Sequence, residues 1–294
     1  MRLLLISLWL LIWSVDAAAE VIHQEKSLYR NLFVEEVEGI RCLKFRSRGG
    51  RESNQSCIVL EHPDLLALNY TRMAMGGLFL NPQPKKVLVI GLGGGILPRT
   101  LRDIFPNTKV TSVEIDPAVV KVAEKYFHFN SDENNIVVTQ DARVFVKRAG
   151  LQNKKFDFII LDAFNGDYIP GHLMTLEFFQ ELRKILTPQG VLLANTFSRS
   201  ELIDSEAATY HAAFGHFYLL TQSGLGNRIL MMSNGDLPSK TDMYRNMVEL
   251  APMLEKYGVE SAKLFNGINK KPDWDKSAKV LTDQYSPVNI LNGR

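Results

Sequence analysis

Cysteine and histidine are scarce in this chain: 294 residues carry two cysteines and six histidines. His23, His62, His128, His211 and His216 fall at no metal-ligand spacing, among themselves or with Cys42 and Cys57, which argues against a resident metal. An excess of one charge is missing too. Lys and Arg number 34 against 32 Asp and Glu, a net charge of +2, so the concentrated basic face of a nucleic-acid binder is not expected. The cluster Arg46, Arg48 and Arg51 reads as a solvated hairpin turn. Internal repeats and low-complexity tracts are absent. Long apolar runs are confined to residues 3–15, preceded by Arg2 and followed by Ala17, Ala18 and Ala19. That layout predicts a secretory signal peptide over residues 1–19, cleaved after Ala19, because 13 apolar residues fall short of the roughly 20 that span a bilayer. The mature chain is expected to be exported, periplasmic or secreted, with no membrane contact after cleavage.

Glycine is concentrated where it has a chemical use. Gly91, Gly93 and Gly95 follow the strand-like run Val87-Leu88-Val89-Ile90 and precede a segment with Ile96, Leu97, Leu101 and Ile104 on one helical face. So apolar a run fits a strand covered on both faces in a parallel sheet. The glycines let the backbone turn and approach a ligand without a Cβ in the way. Glu114 lies 19 residues beyond Gly95, at the end of the next strand, where an acidic side chain meets a ribose diol. Counting from Gly91, Ile96 stands where a dinucleotide fingerprint needs its last glycine, and the spacing is G-x-G-x-G instead. That favours an S-adenosyl ligand over NAD.

The α/β alternation continues along the chain. A helix is predicted from Pro117 to 127 with Asp116 as its N-cap. Strands follow at 136–139 and 156–161, ending at Asp141 and Asp162, then a helix at 176–186 and a strand at 190–195. Repeated βα units predict a doubly wound, largely parallel sheet with ligands at the carboxyl ends of its strands, where Glu114, Asp141 and Asp162 all fall. Residues 217–220 and 228–232 flank a turn with Gly224 and Gly226 and read as an antiparallel hairpin on that sheet. Upstream, residues 20–82 read as a small β-domain with a linking helix at 63–80, and 83–294 as the nucleoside-binding domain. Cys42 and Cys57 sit on facing arms of a predicted hairpin centred on Gly49 and Gly50; a disulfide or two buried thiols both fit.

These residues resemble the spermidine/spermine synthase family, the polyamine aminopropyltransferases, within the class I S-adenosylmethionine-dependent methyltransferase fold. The matching segments are Tyr70-Thr71-Arg72-Met73, residues 87–95 and 113–117, Asp141-Ala142, the run from Asp162-Ala163-Phe164 to His172-Leu173, and residues 281–288. The resemblance implies a transferase that moves an aminopropyl group from decarboxylated S-adenosylmethionine to a small amine such as putrescine, without a metal. It assigns the loop glycines and Glu114 to the donor ribose end, Asp141 and Ala142 to adenine, and Asp162 to the base that deprotonates the attacking amine. It also assigns Tyr70, Asp167, Tyr168 and His172 to the substrate pocket. Ordinary structural roles stay open: Asp141 as a turn cap, Asp162 as a loop anchor, Tyr70 as core and His172 as a loop hydrogen-bonder. A homodimer is allowed.

Three positions depart from the family pattern. Gly94 stands where an aspartate is usual, Thr71 where a glutamine is, and Asn165 where a second acid is, with Asp167 near enough in sequence to replace it. Gly94 removes a charge that would repel the carboxylate of intact S-adenosylmethionine. A methyltransferase using the intact donor, and a non-catalytic adenosyl-ligand or polyamine binding protein, are therefore the alternatives.

Overall fold

The structure, a computed structural model, describes residues 19–46, 50, 52–164, 169–269 and 274–286. Residues 1–18 of the expected signal peptide, Arg48, Arg51, Asn165, Asp167 and Tyr168 lie outside the described residues.

Strands β1 (Glu20–Lys26), β2 (Asn31–Val37), β3 (Ile40–Arg46) and β4 (Glu52–Val59) form an antiparallel sheet in sequence order. Cys42 and Cys57 face each other across β3 and β4 and are disulfide-bonded, which decides between the two readings of the sequence. A cross-link over 15 residues stabilises by about 3 kcal/mol through the unfolded chain. Urea melts of a Cys42→Ala/Cys57→Ala variant are expected to show that loss, and an unmoved midpoint would overturn it.

The larger sheet holds β5 (Lys86–Ile90), β6 (Lys109–Glu114), β7 (Asn135–Thr139), β8 (Phe156–Leu161), β9 (Leu186–Phe197), β10 (Tyr218–Thr221), β11 (Asn227–Ser233) and β12 (Ile268–Asn269). Its order is β12-β10-β11-β9-β8-β5-β6-β7. The five strands from β9 to β7 pair in parallel, and β11, β10 and β12 add antiparallel. Covering both faces is what the apolar β5 requires: Val87 and Val89 enter one core, while Leu88 and Ile90 enter the other. Leu32, Val34, Leu43 and Ile58 of the small sheet join the first of these cores, which brings the antiparallel sheet against the larger one.

Two expectations need correction. The helix predicted at 63–80 is α-helical only over α1 (Asn69–Ala74), followed by a 3-10 turn at Met75–Phe79. The Leu66 amide donates to the Tyr257 carbonyl at 3.1 Å, so the segment before α1 spends its backbone hydrogen bonds outside a helix. Strand β9 begins at Leu186, not 190, because the pairing jumps from Phe156↔Leu186 to Phe158↔Val191, and a bulge absorbs Pro188 and Gly190. The other α-helices among the described residues are α2 (Ile96–Ile104), α3 (Pro117–Tyr126), α4 (Ala142–Leu151), α5 (Leu176–Ile185), α6 (Ile203–Phe214), α7 (Lys240–Glu255) and α8 (Ser261–Gly267). No helix among the described residues is long and apolar enough to cross a membrane.

Candidate active site

The carboxyl ends of β5, β6 and β8 are tied together by backbone hydrogen bonds. The Gly91 amide donates to the Val113 carbonyl at 2.8 Å, and the Asp162 amide to the Ile90 carbonyl at 2.8 Å. Gly91 has φ +93°, and a Cβ on it would lie 2.3 Å from the Asp162 carbonyl oxygen. Only glycine permits both that dihedral and that approach. A cleft opens at this edge. It is lined by Tyr70, Gly91, Gly93, Glu114, Asp141, Ala142, Asp162 and His172, so eight residues singled out in the sequence meet in one place. Gly95 is not among its walls; it precedes α2 and packs on the Phe129 ring, which a Cβ would meet at 2.3 Å. Asp167 and Tyr168 lie outside the described residues.

Glu114 is buried and fixed by two amide donors: Leu92 N–H reaches Oε2 at 3.1 Å and Asp116 N–H reaches Oε1 at 3.0 Å. It thereby joins the glycine loop to the start of α3. Burial pushes its carboxyl up, opposed chiefly by the Arg30 guanidinium. Arg30 comes from the segment between β1 and β2. Its Nε lies 3.8 Å from Asp116 Oδ2, its Nη1 donates to the Phe164 carbonyl at 3.0 Å, and its guanidinium stacks 4.4 Å above the Phe45 ring. The small sheet thus supplies a wall of the cleft that no motif announced.

Asp141 does two jobs. Its Oδ1 caps α4 by accepting from Val144 N–H at 2.9 Å, and its Oδ2 meets His172 Nε2 at 3.0 Å. The cap and the pocket wall are therefore the same residue, and His172 is held against it.

Asp162 Oδ1 accepts from Asn195 Nδ2 at 2.8 Å, and Asn195 Oδ1 accepts from Asn227 Nδ2 at 3.0 Å. Desolvation pushes the Asp162 carboxyl up to about 7, with Asn195 and then Tyr70 pulling the other way. A carboxyl that titrates near neutrality is suited to accept a proton at working pH. The Tyr70 hydroxyl donates to the Gln55 carbonyl at 2.9 Å. Burial first, and the neighbouring Asp162 charge second, hold its phenol well above the usual range, so it stays protonated.

Gly94 owes its identity to β4. Its amide donates to Ser56 Oγ at 2.8 Å, and a Cβ on it would lie 2.8 Å from Ser56 Cβ and 3.0 Å from the Phe127 ring. An aspartate cannot be restored here without moving both neighbours. Arg30, Asn195 and Asn227 escaped the sequence reading. Asn195 follows the rule that ligands gather at carboxyl ends of parallel strands and was open to detection; the other two come from non-parallel elements and were not. Among the described residues no group of three or more His, Cys, Asp or Glu side chains is arranged to hold a metal ion.

Similar known proteins include synthases and a methyltransferase. Residues 68–220 match the family model described as spermine/spermidine synthase domain. The polyamine aminopropyltransferase of Vibrio vulnificus is 44% identical over 273 residues, covering 92% of this chain and 91% of that protein. Among solved structures, a probable spermidine synthase from Corynebacterium glutamicum superposes with a TM-score of 0.65 at 22% identity, over 89% of this chain and 99% of that one. Human methyltransferase-like protein 13, in complex with SAH, gives a TM-score of 0.56 at 24% identity, over 72% and 97%. Both structures share the fold of this chain.

Proposed function

The chain belongs to the spermine/spermidine synthase family, and from that premise we propose that it is a polyamine aminopropyltransferase acting on decarboxylated S-adenosylmethionine and a small amine such as putrescine. The observation that carries this reading is the Asp162 carboxylate, raised to about 7 and facing the same cleft as Glu114.

An alkylammonium cannot attack until it loses a proton. Asp162 attracts the cation, accepts that proton and frees the nitrogen lone pair. The nitrogen then bonds to the propyl carbon beside the sulfonium, the carbon–sulfur bond breaks, and its electron pair returns to sulfur, leaving a neutral thioether. Glu114 holds the ribose hydroxyls with the lone pairs that Leu92 and Asp116 leave free. Gly91 and Gly93 let the backbone approach the donor, and Tyr70 walls the reacting end. Asp141 and Ala142 receive the adenine, and His172, held against Asp141, borders the same end of the cleft.

The decarboxylated donor is preferred for an electrostatic reason. Among the described lining residues Arg30 and His172 are the basic side chains; Arg30 faces Asp116 and the Phe164 carbonyl, and His172 faces Asp141. A donor carboxylate would meet the field of Glu114, Asp141 and Asp162, three acids against one guanidinium, Arg30, among the described lining residues. Gly94 favours the methyltransferase reading, since it removes a repelling acid. The relative that is 44% identical, aligned over nine-tenths of both chains, favours aminopropyl transfer.

Calorimetry with the two donors, followed by product analysis with putrescine, tests the proposal. The decarboxylated donor should bind at least about tenfold more tightly and yield methylthioadenosine with the aminopropylated amine. Methyl transfer from the intact donor, or binding without any product, would overturn it. Glu114→Gln is expected to weaken the donor by about 1–3 kcal/mol, because a charge-assisted acceptor is lost. Unchanged affinity in a variant with native circular dichroism would leave Glu114 a purely structural link between loop and helix.

The workplace proposed for the enzyme lies outside the cytosol, as the apolar leader at 3–15 and the Cys42–Cys57 bond both suggest. Mass spectrometry of protein taken from its native compartment should find the pair oxidised, and two free thiols would count against export.

A further inference from the structure

Asp162 stands at the end of β8, and the amide side chains behind it come from the next two strands. Asn195 lies on β9 and is 3% exposed, with Asn227 at the start of β11. The pairing Asn227↔Phe197 and Ile229↔Asn195 puts the two asparagines on the same face, one diagonal step apart. The intervening residues, Thr196 and Arg228, point to the opposite face and are joined there at 2.9 Å.

We propose that Asn227 and Asn195 are positioning residues: a two-amide relay that commits Oδ1 of Asp162 to a protein donor and leaves its remaining lone pairs for the proton of the attacking amine.

The direction of each hydrogen bond supports this. Asn227 Nδ2 donates to Asn195 Oδ1, which fixes the Asn195 amide with its nitrogen, not its oxygen, toward the carboxylate. A reversed Asn195 would present an acceptor to an acceptor. Relays of this kind act through orientation, since a carboxylate free to rotate would offer its lone pairs to the amine in only part of its conformers. The same bond also stabilises the charged form of Asp162 against burial. Other ionisable groups around Asp162 are few. Tyr70 from α1 acts on it directly, while Arg30, Glu114, Asp141 and His172 line the same cleft and Arg228 lies across β11.

The inference rests on Asp162 being the proton acceptor, and the experiment separates the two ideas. The carboxyl midpoint of Asp162 is read in donor-free protein from ¹³C-labelled aspartate, with the signal assigned by its loss in Asp162→Asn; kcat against pH is measured in parallel. Asn195→Ala should raise the midpoint and the acidic limb of the profile by about one to two pH units, the worth of a hydrogen bond to a charged group. Asn227→Ala should raise both by less than about one unit, because it loosens the donor without removing it. In the double variant the Asn227 effect should vanish, as coupling through one shared partner requires. An unmoved midpoint in Asn195→Ala, or an Asn227 shift that persists in full without Asn195, overturns the relay. Should Asn195→Ala fail to fold, the Asn227→Ala midpoint decides alone: a measurable rise supports the relay and an unmoved midpoint overturns it. If the midpoints move but the unmutated protein transfers no aminopropyl group, the relay stands and the proposed function falls.

Discussion

Asp162→Asn is expected to lower turnover by about 10²–10⁴-fold while leaving donor affinity within a few-fold of the unmutated protein. Donor contacts are assigned to the glycine loop, Glu114 and Asp141, none of which loses a hydrogen bond in this variant. An asparagine at 162 still offers an oxygen to Asn195 and keeps its place at the end of β8. What it lacks is the ability to take a proton. In the unmutated enzyme kcat should rise with pH through about 7, as the Asp162 carboxyl loses its own proton and becomes a base. The variant should lose that limb and recover at higher pH, where the amine is already neutral. Stability supplies an independent reading. A folded-state carboxyl raised above its unfolded value binds protons more tightly when folded, so its contribution to stability is lost as pH rises from the ordinary carboxylate range through about 7. Asp162→Asn should therefore be more stable than the parent at pH 8 and close to it at pH 4. Near-normal turnover with an unchanged pH profile would remove Asp162 from the mechanism; collapse of donor binding would place it among the donor contacts.

The parts of this site that were legible in the sequence are those encoded within single βα units. The glycine loop, Glu114 and Asp162 each sit at the end of a strand whose apolar run announces it, and their convergence follows from parallel pairing alone. Asn227 was not legible because it lies on an antiparallel strand and meets Asn195 only through the β9–β11 register. Arg30 was hidden for a related reason: it reaches Asp116 across 86 residues of chain, and a lone arginine between two short strands carries no pattern. The dependence of Gly94 on Ser56 is equally tertiary. By contrast α7 was open to detection, since Met243, Met247, Leu250 and Leu254 recur at helical spacing and are all buried.

Glu206→Ala is expected to cost about 3–5 kcal/mol of unfolding free energy, although the residue lies outside the cleft. Arg228 and Glu206 are both buried, at 5% and 3% exposure, and form a closed set of contacts. Arg228 Nη2 donates to Glu206 Oε2 at 2.9 Å and to the Ile203 carbonyl at 2.9 Å, while its Nε donates to Thr196 Oγ1 at 2.9 Å. The set clamps α6 to β9 and β11, directly behind the strand pair that carries Asn195 and Asn227. Removing the carboxylate strands a guanidinium in the core, and that uncompensated charge is the main cost. Glu206→Gln keeps the shape and one acceptor and should cost less; pairing Glu206→Leu with Arg228→Met removes both charges and should recover most of the loss. Urea melts of the three variants check the order. If Glu206→Ala melts like the parent, the clamp is not holding the sheet. If it is destabilised while the double variant is equally so, packing and not charge is what the pair contributes.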